Sequence, residues 1–162
     1  MKKITLLLAF LLSFTLIFSQ NQTKVLGIWQ VKLNGKFMTG KDLGVTAAPY
    51  SSHSVFYVFN KEKCYFAICP SKASLNKATI QGFLTKQAAS EGTYKVYDSL
   101  QVIPENYFQK YDAQAPFKPN TFFIEALIQG EPMSFFFEPG VKKIFGLNRE
   151  NKLELVYSGL GW

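Results

Sequence analysis

Few residues in this chain are equipped for chemistry, and they are scattered. His53, in "APYSSHSVF", is the only histidine. A lone His cannot build a His-rich metal site, and no acid or Cys stands at ligand spacing around it. It reads as a polar loop residue. A Ser–His–acid arrangement is assembled in space, but no G-x-S-x-G nucleophile elbow occurs, and Ser158 in "YSGLGW" is out of that frame. Glu125 is the most unusual acid, because "FFIEALI" surrounds it with apolar residues. In an alternating strand it shares a face with Phe123 and Leu127, opposite Phe122, Ile124, Ala126 and Ile128. A buried, unpartnered carboxyl is costly, so the outward reading is preferred. No paired carboxylates, phosphate-cradling Gly loop or metal cluster is present. No catalytic residue, metal site or cofactor is therefore assigned, and the protein is expected not to be an enzyme.

Cys64 and Cys69 flank "YFAI". If that segment is one straight strand, they lie about 17 Å apart at ~3.3 Å per residue. Their odd separation also sends them to opposite faces. A disulfide needs Cα atoms within about 7 Å, and "YFAI" has no turn residue. Two buried free thiols are expected.

The first residues look like an address rather than part of a fold. Lys2 and Lys3 precede an almost wholly apolar run, Ile4 to Phe18, and polar residues follow at once. The run is shorter than the roughly 20 residues of a membrane span. That order is a secretory signal peptide, residues 1–19, cut after Ser19. Residues 20–162 would form a single domain, periplasmic or extracellular, with no stable membrane span. The formal net charge is +7, and Arg149 is the sole Arg. Nucleic-acid binders cluster Lys and Arg on one face. Here the Lys residues are spread out, which reads as a solvated basic surface and not a nucleic-acid interface.

Helical periodicity is nearly absent. "GIWQVKL" alternates, with Trp29, Val31 and Leu33 on one face. "SVFYVFN" and "KCYFAIC" read as strands joined at Asn60 to Glu62. "ATIQGFLT" reads as a fourth strand, "KQAASEG" as a loop and "TYKVYD" as the next strand. "PENYFQKYDAQAPFKPN" is irregular and long, as functional loops often are. "TFFIEALI", "QGEP" and "MSFFFE" form one hairpin; "VKKIFGL", "NREN" and "KLELVY" form another. One-sided alternation in successive hairpins predicts antiparallel sheet with an inside and an outside. About eight to ten short strands mean an all-β barrel or a β-sandwich.

"VLGIWQV" favours the barrel by resemblance, with the β-sandwich as the alternative. Gly27-Ile28-Trp29 resembles the G-x-W signature of the lipocalin and calycin superfamily, and "EGTYKVYDSLQVI" and "IFGLNRENKLELVY" look like later strands of bacterial lipocalin-like domains. The resemblance implies an antiparallel up-and-down β-barrel. It implies that Trp29 and Gly27 act as a structural plug at the closed end. The family's late Arg, which packs over the Trp, has no counterpart except Arg149 in the turn "NREN", and the mid-chain T-D-Y motif is absent.

The chain holds 16 Phe, 8 Tyr and 2 Trp. Such a load either packs a dense core or lines an apolar cup with a few polar groups, as ligand sites do. The leading expectation is an exported lipocalin-like protein that binds an apolar or amphipathic small molecule or lipid in the barrel. Tyr94, Phe122, Ile124, Met133, Phe135 and Phe137 would line the site, at the end away from Trp29. The alternatives are an envelope protein-interaction module with a filled barrel, its partner unknown, and an enzyme using Glu125 and His53 in a barrel cup.

Overall fold

The fold is an all-β barrel. It is given by a computed structural model, which describes residues 22–70, 76, 78, 81, 82, 84, 89–97, 122–146 and 152–161. The strands are β1 (Gly27–Leu33), β2 (Lys36–Phe37), β3 (Ser54–Phe59), β4 (Cys64–Cys69), β5 (Ala89–Tyr97), β6 (Phe122–Ile128), β7 (Glu131–Glu138), β8 (Lys143–Gly146) and β9 (Leu153–Tyr157). Each of the eight barrel strands pairs antiparallel with its neighbours, and β1 pairs with β9 to close the ring. The closing register runs from Trp29↔Tyr157 to Leu33↔Leu153. The short β2 stands outside the ring, turned back on β1 through Asn34 and Gly35, both at positive φ. Closure removes the unpaired edges that an open sheet would expose.

The two-residue periodicity sets inside from outside. Trp29, Val31, Val55, Tyr57, Phe59, Cys64, Ile124, Phe135, Phe137, Ile144 and Leu155 form one inner cluster. Burying one such side chain fully stabilises the fold by about 1.5–3 kcal/mol. A second cluster lies on the outer face of β1, β3 and β4: Ile28, Phe56, Val58, Ala67 and Cys69. β3 is therefore buried on both faces. Leu84 and Leu160 pack over that outer cluster.

Leu84 marks a departure from the sequence reading. "ATIQGFLT" was expected to be a strand, yet residues 78, 81, 82 and 84 are helical. Its β-branched residues favour a strand only where a sheet position awaits them. Here the apolar outer face of β3 and β4 needs a cover, and Leu84 supplies part of it. "KQAASEG" was read as a loop, but β5 already begins at Ala89, and Gly92 is paired with both Cys64 and Ile128. A side chain at Gly92 would collide with the Leu127 carbonyl, so Gly lets β5 pass close to β6. The signal segment 1–19, "LQVI", "PENYFQKYDAQAPFKPN" and Arg149 lie outside the described residues.

Cys64 and Cys69 are both buried and free. They sit on one strand but in different cores, Cys64 inside the barrel and Cys69 in the outer cluster. Burial pushes the Cys64 thiol up to about 12 and the Cys69 thiol up to about 11. Neither has thiolate character near neutral pH, so neither is primed as a nucleophile.

Candidate functional site

Gly27 and Trp29 build the lower pole of the barrel. Gly27 has φ +140, and a Cβ there would lie 2.6 Å from Tyr157 Cε2 and 3.0 Å from the Leu160 carbonyl oxygen. Only glycine takes that conformation with that neighbour. Trp29 follows two residues later, 1% exposed. Its indole Nε1–H donates to the Val25 carbonyl at 2.9 Å. Val25 ends a helical turn, residues 22–25, and is fully buried in the inner cluster. Gln22 ties the turn to the rest of the pole: its Nε2 donates to the Lys61 carbonyl at 2.9 Å. Tyr94 donates its hydroxyl proton to the Asn60 carbonyl at 2.6 Å. Trp29 also meets the rings of Phe137 (centroids 5.7 Å apart, edge-on) and Tyr157 (5.1 Å, tilted).

Beside that cap lies a half-open cleft of about 290 Å³. Trp29, Phe137 and Tyr157 give it an aromatic floor, and Leu26, Thr23, Lys24 and Lys142 complete the lining. Tyr157 is half-buried and offers the larger accessible ring, with Lys142 Nζ 5.9 Å from its centroid. Lys24 Nζ stands 4.8 Å over the Phe122 ring. A second cleft of about 240 Å³ is lined by Gln22, Tyr94, Lys95, Val96 and Tyr97.

The six residues expected to line a ligand cup do share the inner wall of β5, β6 and β7. Register places Phe122 beside Phe137, Ile124 beside Phe135, Ala126 beside Met133, and Tyr94 beside Ala126. They do not share one cleft. Phe137 borders the larger cleft and Tyr94 the smaller. Ile124, Phe135, Ile144 and Leu155, from four strands at mid-barrel, have no exposure. Space large enough for water against any of them would show as accessible surface, so the barrel is packed at that level. Met133, on the inner face toward the opposite pole, is half-buried. Thr23, Lys24, Leu26, Lys142 and Tyr157 were not singled out by sequence reasoning. The pointers were Trp29 and Phe137, whose neighbours were legible only once β9 and the β7–β8 connection had been brought to them.

Glu125 lies on the outer face, opposite Lys95 and Ser134, and accepts a hydrogen bond from the Tyr97 hydroxyl at 2.9 Å. His53 follows a 3-10 turn, Tyr50–Ser52, its ring edge-on to Tyr50 at 5.4 Å. Neither borders either cleft. Among the described residues no group of His, Cys, Asp and Glu could hold a metal ion. Among them, too, no helix is long and apolar enough to cross a membrane.

The fold thus defines a closed, eight-stranded, antiparallel barrel compatible with the lipocalin-like architecture. No family model matches the chain, and no curated protein and no solved structure matches it significantly.

Proposed function

We propose that this protein is an exported, lipocalin-like binding protein, without catalytic activity, for a small amphipathic molecule held at the pole that Trp29 closes. The observation that carries the reading is the cleft of about 290 Å³ with an aromatic floor and two lysines at its margin. It is concave and combines apolar with polar lining groups, as small-molecule sites do, with a volume just below their ~300–1,000 Å³ range. The calycin kinship drawn from Gly27-Ile28-Trp29 belongs to this proposal, as does export.

Native mass spectrometry of the protein recovered from its own export compartment tests the reading. A retained small molecule, displaced when Tyr157 is replaced by Ala, is the expected result. A ligand-free protein that also fails to bind neutral hydrophobic dyes would overturn it. The packed mid-barrel favours one second reading, an envelope protein-interaction module. Capture of a defined partner, lost on deleting residues 104–120 with the fold intact, would support that module instead.

A further inference from the structure

The larger cleft carries more than a hydrophobic surface. Among the described residues its lining holds two cationic side chains, Lys24 and Lys142, and no acidic one. Its floor is made of rings. Trp29 packs against both Phe137 and Tyr157, and Phe122 stacks on Phe137 at 6.1 Å. These buried rings hold the half-buried Tyr157 ring in place, and a fixed ring face favours a flat guest, stacked or edge-on, over a flexible chain. The volume admits a body of one or two rings, since it falls below the usual range for drug-sized ligands.

Lys142 adds an independent mark. It is held at φ +48, the left-handed region, in the connection between β7 and β8. A lysine gains nothing from that backbone, where glycine or asparagine is at ease. Strain of this kind clusters at functional sites, and at Lys142, unlike Gln129, the side chain reaches the cleft and the Tyr157 ring.

We infer that the ligand of this cleft is a small aromatic anion: a flat ring system bearing one carboxylate, sulfonate or phosphate, with its ring against Tyr157, the accessible ring of the cleft, and its anion toward Lys24 and Lys142. The inference rests on the reading of the cleft as a binding site and names the chemical class that it takes. Ammonium groups recognise an anion as point charges without demanding bidentate geometry. The three classes of head group are therefore equivalent here, and the ring supplies the selectivity.

Two dyes with the same rings separate the parts. Anilinonaphthalene sulfonate carries the anion; phenylnaphthylamine is its uncharged counterpart. The full mature protein should bind the sulfonate more tightly. Lys24→Gln and Lys142→Gly together should weaken the sulfonate by about tenfold, the scale of one hydrogen bond to a charged group, and change the neutral dye less than twofold. Both lysines are exposed, and Lys142→Gly relieves the positive φ, so thermal stability should hold. Lys95→Gln, at the smaller cleft, should leave both dyes unchanged. Equal affinity for the two dyes, or equal weakening of both by the lysine variants, would overturn the anion while leaving the binding reading intact. Loss through Lys95→Gln alone would overturn the assignment to this cleft. Failure of both dyes to bind would sink the binding reading itself.

Discussion

Trp29 does two things with one side chain. Its rings fill the lower end of the barrel, and its N–H satisfies the Val25 carbonyl at 2.9 Å. Trp29→Phe keeps most of the filling and orphans that buried carbonyl, a loss of about 1–3 kcal/mol. Trp29→Ala loses both and should cost ~3–5 kcal/mol. Chemical denaturation of the two variants, compared at equal m-value, checks the order. Gly27→Ala should fail more severely than its size suggests, because it meets Tyr157 Cε2 at 2.6 Å with φ at +140; soluble yield and near-ultraviolet circular dichroism report it. The cysteines give a pH prediction. Their folded-state values, about 12 and about 11, stand above the ordinary 9.0. Above pH 9 the unfolded chain releases thiol protons that the folded chain keeps. The stability they confer is thus whole below pH 9 and lost as pH rises toward 12. Melting temperatures measured across that window should fall, and fall less in a Cys64→Ala, Cys69→Ala variant.

At the scale of elements, alternation was the readable signal. β1 spans Gly27–Leu33 as its pattern implies, and the Phe-rich hairpin pairs Phe122 with Phe137 as two inward-facing sets should. The helical residues 78, 81, 82 and 84 escape the alternation pattern because the outer apolar face of β3 and β4 has no mark of its own in those strands. After Ser54, "VFYVF" is apolar or aromatic on both faces, as a doubly buried strand must be. Leu84→Asp should uncover that face: weaker thermal stability and increased dye binding insensitive to Lys24 and Lys142 are expected. Gln129, at φ 53 in the β6–β7 turn before Gly130, suits asparagine better. Gln129→Asn should raise the melting temperature with no change in binding. An unchanged or lower value would show the turn to be limited by something other than its backbone.

For the whole molecule, closure is the decisive contact. β1 bonds to β3 on one side and β9 on the other, so Gln30 faces both Phe56 and Val156. Ending the chain at residue 152 would strip β9 from β1 and β8 together. Such a truncation should abolish cooperative unfolding instead of merely lowering its midpoint; a sharp residual transition would argue that the remaining strands fold alone. The candidate cleft belongs to this scale as well, which is why sequence reasoning placed function elsewhere. Lys24, Trp29, Phe137, Lys142 and Tyr157 are more than a hundred residues apart at the extremes, and only ring closure makes them neighbours. Single-sequence patterns assign faces to strands; they do not say which end of a barrel stays concave.

The same closure has a practical side. The amide of Ile28 bonds to the Leu160 carbonyl and that of Ser158 to the Ile28 carbonyl, at 3.2 and 3.0 Å. The described chain therefore starts and finishes at one pole, the pole with the cleft. An affinity tag or fluorescent fusion joined next to residue 22 or residue 161 would stand at the pole of the candidate cleft. New termini cut between Gln129 and Gly130, with the old ones joined by a short linker, would put any fusion at the far pole and leave the cleft in the open.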